Sequence, residues 1–191
     1  DESATTRARA NILREFLTHS PKKNPFDHEE IYEVLDLCLS CKACKSECPS
    51  SVDMAKLKAE FLQHYYDANG IPLRTRAIAN INRINAVGSL VPGITNFFLQ
   101  NNFTSRLIKK TLGFAAKRSI PALQKRTLRR ELKRYAQNLN DGTKGTVYLF
   151  VDEFSNFNDT HIGVSTILLL NKLGYQVKTV KHEESGRTYM S

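Results

Sequence analysis

CLSCKACKSECP, from Cys38 to Pro49, is the stretch around which the rest of the chain is read. All four cysteines of the protein lie in it, at Cys38, Cys41, Cys44 and Cys48. The spacing C-x2-C-x2-C-x3-C-P matches an established iron–sulfur ligand run. Three thiolates at steps of three residues, separated by the small or flexible Ser40, Lys42 and Ala43, let the backbone curl so that three sulfurs face three corners of one cube. Cys48, one residue further on, points elsewhere, and in two-cluster arrangements of this kind it ligates the other cluster. Pro49 keeps the preceding turn from continuing and turns the chain away.

Other readings of the thiols compete. A zinc site usually takes two C-x2-C pairs separated by a longer loop, or mixes in histidine. The closest histidines, His28 and His64, do not have ligand spacing. A disulfide framework suits a secreted domain of fewer than ~100 residues, whereas this chain has 191. The cluster reading leads, with zinc and redox-active thiols left open.

The chain is long enough for one domain with a real core, or for a domain plus part of another. It opens on Asp1 and reads as a processed chain or an excised piece. Lys and Arg number 28 against 19 Asp and Glu, a formal net charge of +9, which calls for an acidic partner or surface. The longest apolar run, VSTILLL from Val164 to Leu170, falls far short of the ~18 residues of a membrane span. No transmembrane segment is expected, and the thiolates suit a soluble, intracellular protein in a reducing compartment.

Around the cysteines the pattern is helical. Residues 5–18 read as a helix capped by Thr5, with Ala8, Ile12 and Phe16 on one face and Arg7, Arg9 and Arg14 on the other. A second helix starts after Pro25, with Asp27 as cap, Glu30 completing a capping box, and Phe26 and Ile31 as a hydrophobic staple. Its stripe of Ile31, Val34 and Leu35 runs into Cys38. After Pro49 a third helix is expected to start at Ser50, with Asp53 in its first turn and Met54, Leu57, Phe61 and Tyr65 on one face, stopping at Gly70 and Pro72. The cysteine loop is therefore held between helices, a helical ferredoxin-like arrangement.

Shorter helical stripes follow at Ala77–Ile84, Ile94–Phe98, Leu107–Leu112 and Leu128–Tyr135. Between Leu73 and Lys144, Lys and Arg outnumber Asp and Glu fifteen to two, so all of the net positive charge lies there. Solvated helix faces, docking to an acidic partner or anionic membrane through FTSRLIKKTLGFAAKRS, and nucleic acid all compete for this block. Nucleic acid is the weakest of these, because no groove-reading motif or aromatic platform accompanies the charges. Near residue 140 the character changes. A turn at Asn140, Asp141 and Gly142 leads into a strand, TVYLFV, from Thr146 to Val151. A helix capped by Asp159 or Thr160, with Ile162, Ile167, Leu168 and Leu170 on its face, then precedes a second strand from Tyr175 to Val180. Strand, helix, strand implies a parallel unit that cannot cover both faces of its own sheet, so a continuation is expected. The fold class is mainly α, a helical ferredoxin-like domain with further helices, followed by a partial β-α-β unit. The boundaries fall at 1–72, 73–144 and 145–191.

With these pieces in place, the chain resembles the iron–sulfur part of FAD-linked oxidases of the D-2-hydroxyacid dehydrogenase type. In that family a flavin domain is followed by a helical two-cluster region and a cysteine-rich domain related to subunits of heterodisulfide reductase and of glycerol-3-phosphate dehydrogenase. The likeness is carried by TRARANILREFL at Thr6 to Leu17, LCLSCKACKSECPSSVDMAKLKAEFL at Leu37 to Leu62, and YLFVDEFSNFND at Tyr148 to Asp159. It implies that Cys38, Cys41 and Cys44 hold a 4Fe-4S cluster whose fourth thiolate lies upstream, and that Cys48 serves a second cluster. The Cys-Cys-Gly element of the family is replaced by Glu184, Ser185, Gly186 and Arg187, so no cysteine-based site is expected after Cys48.

The resemblance further implies FAD on another domain or partner, and an electron acceptor that could lie at a membrane surface. It also implies a cytoplasmic protein, peripheral to the inner face of the membrane. The expected function is to pass electrons from flavin to that acceptor, with no substrate chemistry in this chain alone. The alternative is a structural-metal module, iron–sulfur or zinc, whose basic surface binds an acidic partner, membrane or nucleic acid. Lys42 and Lys45 would raise the cluster's potential. No G-x-G-x-x-G or phosphate loop is present. His19, His28, His64, His161 and His182 read as surface or packing residues, and Asp152 and Glu153 follow a strand end, a weak ligand signal.

Overall fold

A computed structural model describes residues 5–136, 139 and 142–189. It is mainly helical, with a two-stranded parallel sheet near its C-terminal end. The chain divides into two compact units, one ending at Arg76 and the other running from Ala77 to Tyr189. No helix among the described residues is long and apolar enough to cross a membrane.

In the first unit, α1 (Thr6–His19) begins where the Thr5 hydroxyl accepts the Ala8 N–H at 3.2 Å. The next helix, α2 (Glu29–Asp36), departs from its expected start, since His28 is its N-cap and no side chain caps it. Asp27 instead accepts a bond from Asn69 Nδ2 at 2.9 Å, and Phe26 stacks on His64. His28 takes the boundary because its ring is useful in the core: it is buried, bonded to the Ser20 hydroxyl at 2.7 Å and set edge-on to Phe16. A single short turn, α3 (Ala43–Glu47), lies within the cysteine loop. Then α4 (Met54–Asn69) is capped by Asp53, which accepts the Lys56 N–H at 3.1 Å, so the cap lies three residues beyond the expected Ser50. At its other end Gly70, at φ +81°, stops the helix, and α5 (Leu73–Ala79) follows.

Leu13, Ile31, Leu35, Met54 and Phe61 form the core of this unit, with Ile31 and Leu35 fully enclosed. Beside it Tyr32 stacks on Tyr65 at 4.8 Å. Burial, followed by the influence of Tyr66, pushes the Tyr32 phenol up to about 12. A phenol that is harder to ionise folded than unfolded contributes stability that is present below about pH 10 and is lost as pH rises through about 12. The thermal midpoint should therefore fall across that window, and Tyr32→Phe should flatten the fall. An equally steep decline in the variant, followed by circular dichroism, would remove Tyr32 as its source.

The second unit opens with α6 (Ile81–Gly88), α7 (Pro92–Gln100) and α8 (Asn102–Leu112). The Asn101 side chain accepts from Phe103 and Thr104 N–H groups, and Gly113, at φ +67°, ends α8. Helices α7 and α8 form where the sequence pattern places them, whereas the single stripe expected over Ala77–Ile84 is broken at Asn80, between α5 and α6; the apolar stripes face outward, with Ile84, Ile94, Phe97, Phe98 and Leu107 all exposed. Then come α9 (Leu128–Tyr135), β1 (Thr146–Tyr148), α10 (Glu153–Phe157), α11 (Thr160–Lys172) and β2 (Gln176–Lys178). Of the expected turn before β1, Asn140 and Asp141 lie outside the described residues.

The two strands pair in parallel, with Val147 opposite Val177. They are shorter than the pattern implies. Leu149 N–H still reaches the Lys178 carbonyl at 2.8 Å, but Val151 N–H is taken by the His182 ring at 3.2 Å, which ends the ladder. Helix α11 is rotated from the expected face: Thr160, Gly163, Ile167 and Asn171 are buried, while Ile162 and Leu168 are exposed. Gly163 sets that rotation, because it allows α11 to lie directly on Leu128. A Cβ there would come within 2.2 Å of Leu128 Cδ2. Gly163→Ala should thus destabilise the chain by about 1–3 kcal/mol through overpacking, read as a lower denaturant midpoint. An unchanged midpoint would show that Leu128 can move aside.

Candidate metal centre

The cysteines occupy the connection between α2 and α4. Cys38 lies just beyond α2, its N–H bonded to the Leu35 carbonyl at 2.9 Å, and is partly buried. Cys41 is exposed. Cys44 sits in α3 and packs against the core of the first unit. Cys48 closes α3 by donating its N–H to the Cys44 carbonyl at 3.0 Å, and its own carbonyl accepts from Ser51 at 2.9 Å. All four are free thiols.

The backbone of this connection is strained. Among the described residues, the only non-glycine residues with positive φ are Ser40 at +53°, Lys42 at +62° and Ser51 at +51°. Each such residue costs on the order of 1–2 kcal/mol relative to ordinary backbone. Three of them within one loop indicate a shape required for something other than stability.

Beneath the loop lies a residue that the sequence reading missed. Lys58 of α4 is buried, 5% exposed, and its ammonium donates to the Cys38 carbonyl at 2.7 Å. Burial holds its pKa below the ordinary lysine range, with Arg9 lowering it further and Cys38 and Asp36 opposing. The available signal was its register: Lys58 stands four residues after Met54 and three before Phe61, both of them enclosed. Leu57, expected on that face, is instead 42% exposed. Lys45, expected to act as a bare positive charge, lies 3.8 Å from the Asp53 carboxylate, which offsets it.

The chemistry of the donor set suits an iron–sulfur cluster: four soft sulfur ligands, none tied into a disulfide, on a loop already bent. Among the described residues, however, no three Cys, His, Asp or Glu side chains gather into a set for a single metal ion. A tetrahedral zinc would need sulfurs all within about 2.3 Å of one point.

Of the histidines, His28 is a core residue and His64 stacks on Phe26. His19 is paired with Glu15 on the surface of α1, and His161 is exposed. His182 lies in the second unit between Val151 N–H and Arg129. Asp152 caps α10 through the Ser155 N–H and is paired with Arg187. Burial pushes the Asp152 carboxyl up, but Ser155 and Arg187 outweigh it and hold it below the usual range.

The first unit is thus a helical module presenting a bent, cysteine-bearing loop, and the second is a set of helices leading into a parallel β-α-β unit. Over 98% of its length the chain is 27% identical to a D-2-hydroxyglutarate dehydrogenase of Pantoea ananatis. It is 28% identical over 85% of its length to that of Escherichia coli, and 24% identical over 85% to that of Haemophilus influenzae. The chain spans 16–19% of the length of these relatives. No protein-family profile matches it. No solved structure gives a significant match.

Proposed function

We propose that this chain is the iron–sulfur electron-transfer module of a flavin-dependent D-2-hydroxyacid oxidoreductase. The observation that supports it best is the loop from Cys38 to Cys48, four free thiols on a backbone bent through Ser40 and Lys42, in a chain similar to D-2-hydroxyglutarate dehydrogenases. A bound 4Fe-4S cluster would supply one-electron chemistry, with Cys38, Cys41 and Cys44 as its ligands and Cys48 directed to a second cluster. The protein's own share is electrostatic and geometric. Lys58 fixes the Cys38 carbonyl and places a positive charge under the loop, and α2 and α4 hold the loop ends against a common core. The FAD and its hydroxyacid belong to another domain or partner in this reading.

Anaerobic reconstitution of the chain, alone and extended toward its N-terminus, followed by iron and sulfide assay and electron paramagnetic resonance after dithionite, tests the proposal. A reducible iron–sulfur signal is expected. A colourless, zinc-loaded protein would refute it.

A second reading is favoured by one surface. On α7 and α8 the exposed Ile94, Phe97, Phe98, Phe103 and Leu107 share a helical pair with Arg106, Lys109 and Lys110. Apolar side chains flanked by cations suit an anionic membrane face, where the acceptor would lie. Co-sedimentation with phosphatidylglycerol vesicles that weakens with salt is expected; equal binding to neutral vesicles would argue against a charge-selected surface.

A further inference from the structure

The C-terminal end of α2 leads straight into the cysteine loop, and it is held by cations that come from two other helices. The last carbonyls of an α-helix lack intrahelical donors, and together they carry a partial negative charge of about half an electron. Helix α2 brings no cation of its own to that end: its last turn holds no basic residue and finishes on Asp36. The Leu35 carbonyl accepts the Leu37 and Cys38 N–H groups. The Val34 carbonyl accepts from Arg9 Nε of α1 at 3.3 Å, across 25 residues of sequence. Just past the helix, the Cys38 carbonyl accepts from Lys58 of α4.

The sequence pattern puts Arg9 with Arg7 and Arg14 on the outer face of α1. In the structure Arg7 and Arg14 are exposed, whereas Arg9 is half-buried and turned to α2. One helix therefore supplies the loop with a hydrogen bond that neither its neighbours in sequence nor its periodicity announces.

Capping alone does not account for two cations at this place. Water or a neutral side chain answers a helix-end carbonyl as well, and Arg9 is close enough to Lys58 to disfavour its charge. Asp36 acts the other way on Lys58, but it is exposed and forms no ion pair among the described residues. Two cations gathered at a partial charge suit a further anion, and the group next in the chain is Cys38.

We propose that Arg9 is a positioning residue for the cysteine loop: with Lys58 it locks the end of α2 that delivers Cys38, and its charge favours the reduced state of a cluster bound there. The first half concerns this chain's own backbone, and the second rests on the iron–sulfur reading. Reduction adds one electron and one negative charge with no bond made or broken, so a nearby fixed cation stabilises the reduced form more than the oxidised one.

Arg9→Met and Arg9→Lys in the full chain test both halves. Without iron, exchange of the Cys38 amide hydrogen should be roughly tenfold faster in Arg9→Met, because the helix end opens locally. In the reconstituted protein, the reduced-to-oxidised ratio at the native midpoint should fall about threefold in Arg9→Met and return towards the native ratio in Arg9→Lys, which keeps the charge. Circular dichroism checks folding, and Arg9→Gln supplies the uncharged variant should Arg9→Met unfold. Unchanged Cys38 exchange in folded Arg9→Met would overturn the positioning role. An unmoved midpoint in the uncharged variant, or an equal shift in Arg9→Lys, would overturn the electrostatic role. If the native chain takes up no iron and sulfide, the iron–sulfur reading falls and the electrostatic role with it, while the exchange measurement still decides the positioning.

Discussion

Cys41→Ala should reduce the iron and acid-labile sulfide of the reconstituted protein to background, a loss of more than about tenfold, while its helical circular dichroism stays unchanged. Cys41 is the informative position because it is exposed, unlike Cys44, which lies against the core of the first unit. A cysteine retained only for packing would be silent at position 41 and costly at 44. A ligand is costly at 41 for the cofactor alone, since an iron–sulfur cluster loses its hold when a thiolate is removed. Unaltered iron and sulfide in Cys41→Ala would end the assignment of this residue as a ligand.

The second large effect is expected from Lys58→Met. Two opposing terms act on stability. Removing the ammonium leaves the Cys38 carbonyl without its 2.7 Å donor, a loss of about 1.5–3 kcal/mol for a charge-assisted bond. It also removes a buried charge, and the lowered pKa of Lys58 means that burial already disfavours that charge. Methionine fills similar volume and is apolar, so the terms largely cancel and the net change should stay within about 1 kcal/mol. The reduction midpoint has no such cancellation. Losing one positive charge from beneath the loop should move it more negative by on the order of 50–100 mV, as a unit charge at an effective dielectric of about 20 implies. Redox titration of the reconstituted variant reads this directly. An unmoved midpoint would assign Lys58 to structure alone.

How much of this was legible beforehand depended on whether a signal was local. The Thr5 cap, the Gly70 stop and the cysteine loop follow from residues close in sequence, and the parallel pairing of β1 with β2 follows from the strand–helix–strand order between them. The misplaced boundaries involve competition between equals. Ser50 and Asp53 are both good caps, and the sequence does not say which one faces the first free N–H groups. Asp27 had the better capping chemistry, but His28 has a core to fill, and packing outranks capping there. Lys58 was missed because a lysine on an apolar face is usually read as snorkelling to solvent, and its partner is a backbone carbonyl 20 residues away. The outward apolar stripes of α7 and α8 could be recognised as stripes, yet periodicity alone does not say what a stripe faces. The carboxylates that line a cavity of the second unit were half visible. Asp152 and Glu153 mark a strand end in the sequence, but Glu184 reaches the same cavity only through the path taken after β2.

In the proposed iron–sulfur reading, the left-handed residues at Ser40, Lys42 and Ser51 bear on how the loop takes up iron. A segment that is already folded into its receiving shape surrenders little freedom when the inorganic guest arrives. Capture would then demand little rearrangement of the peptide, so uptake should depend only weakly on temperature-driven motion of the loop.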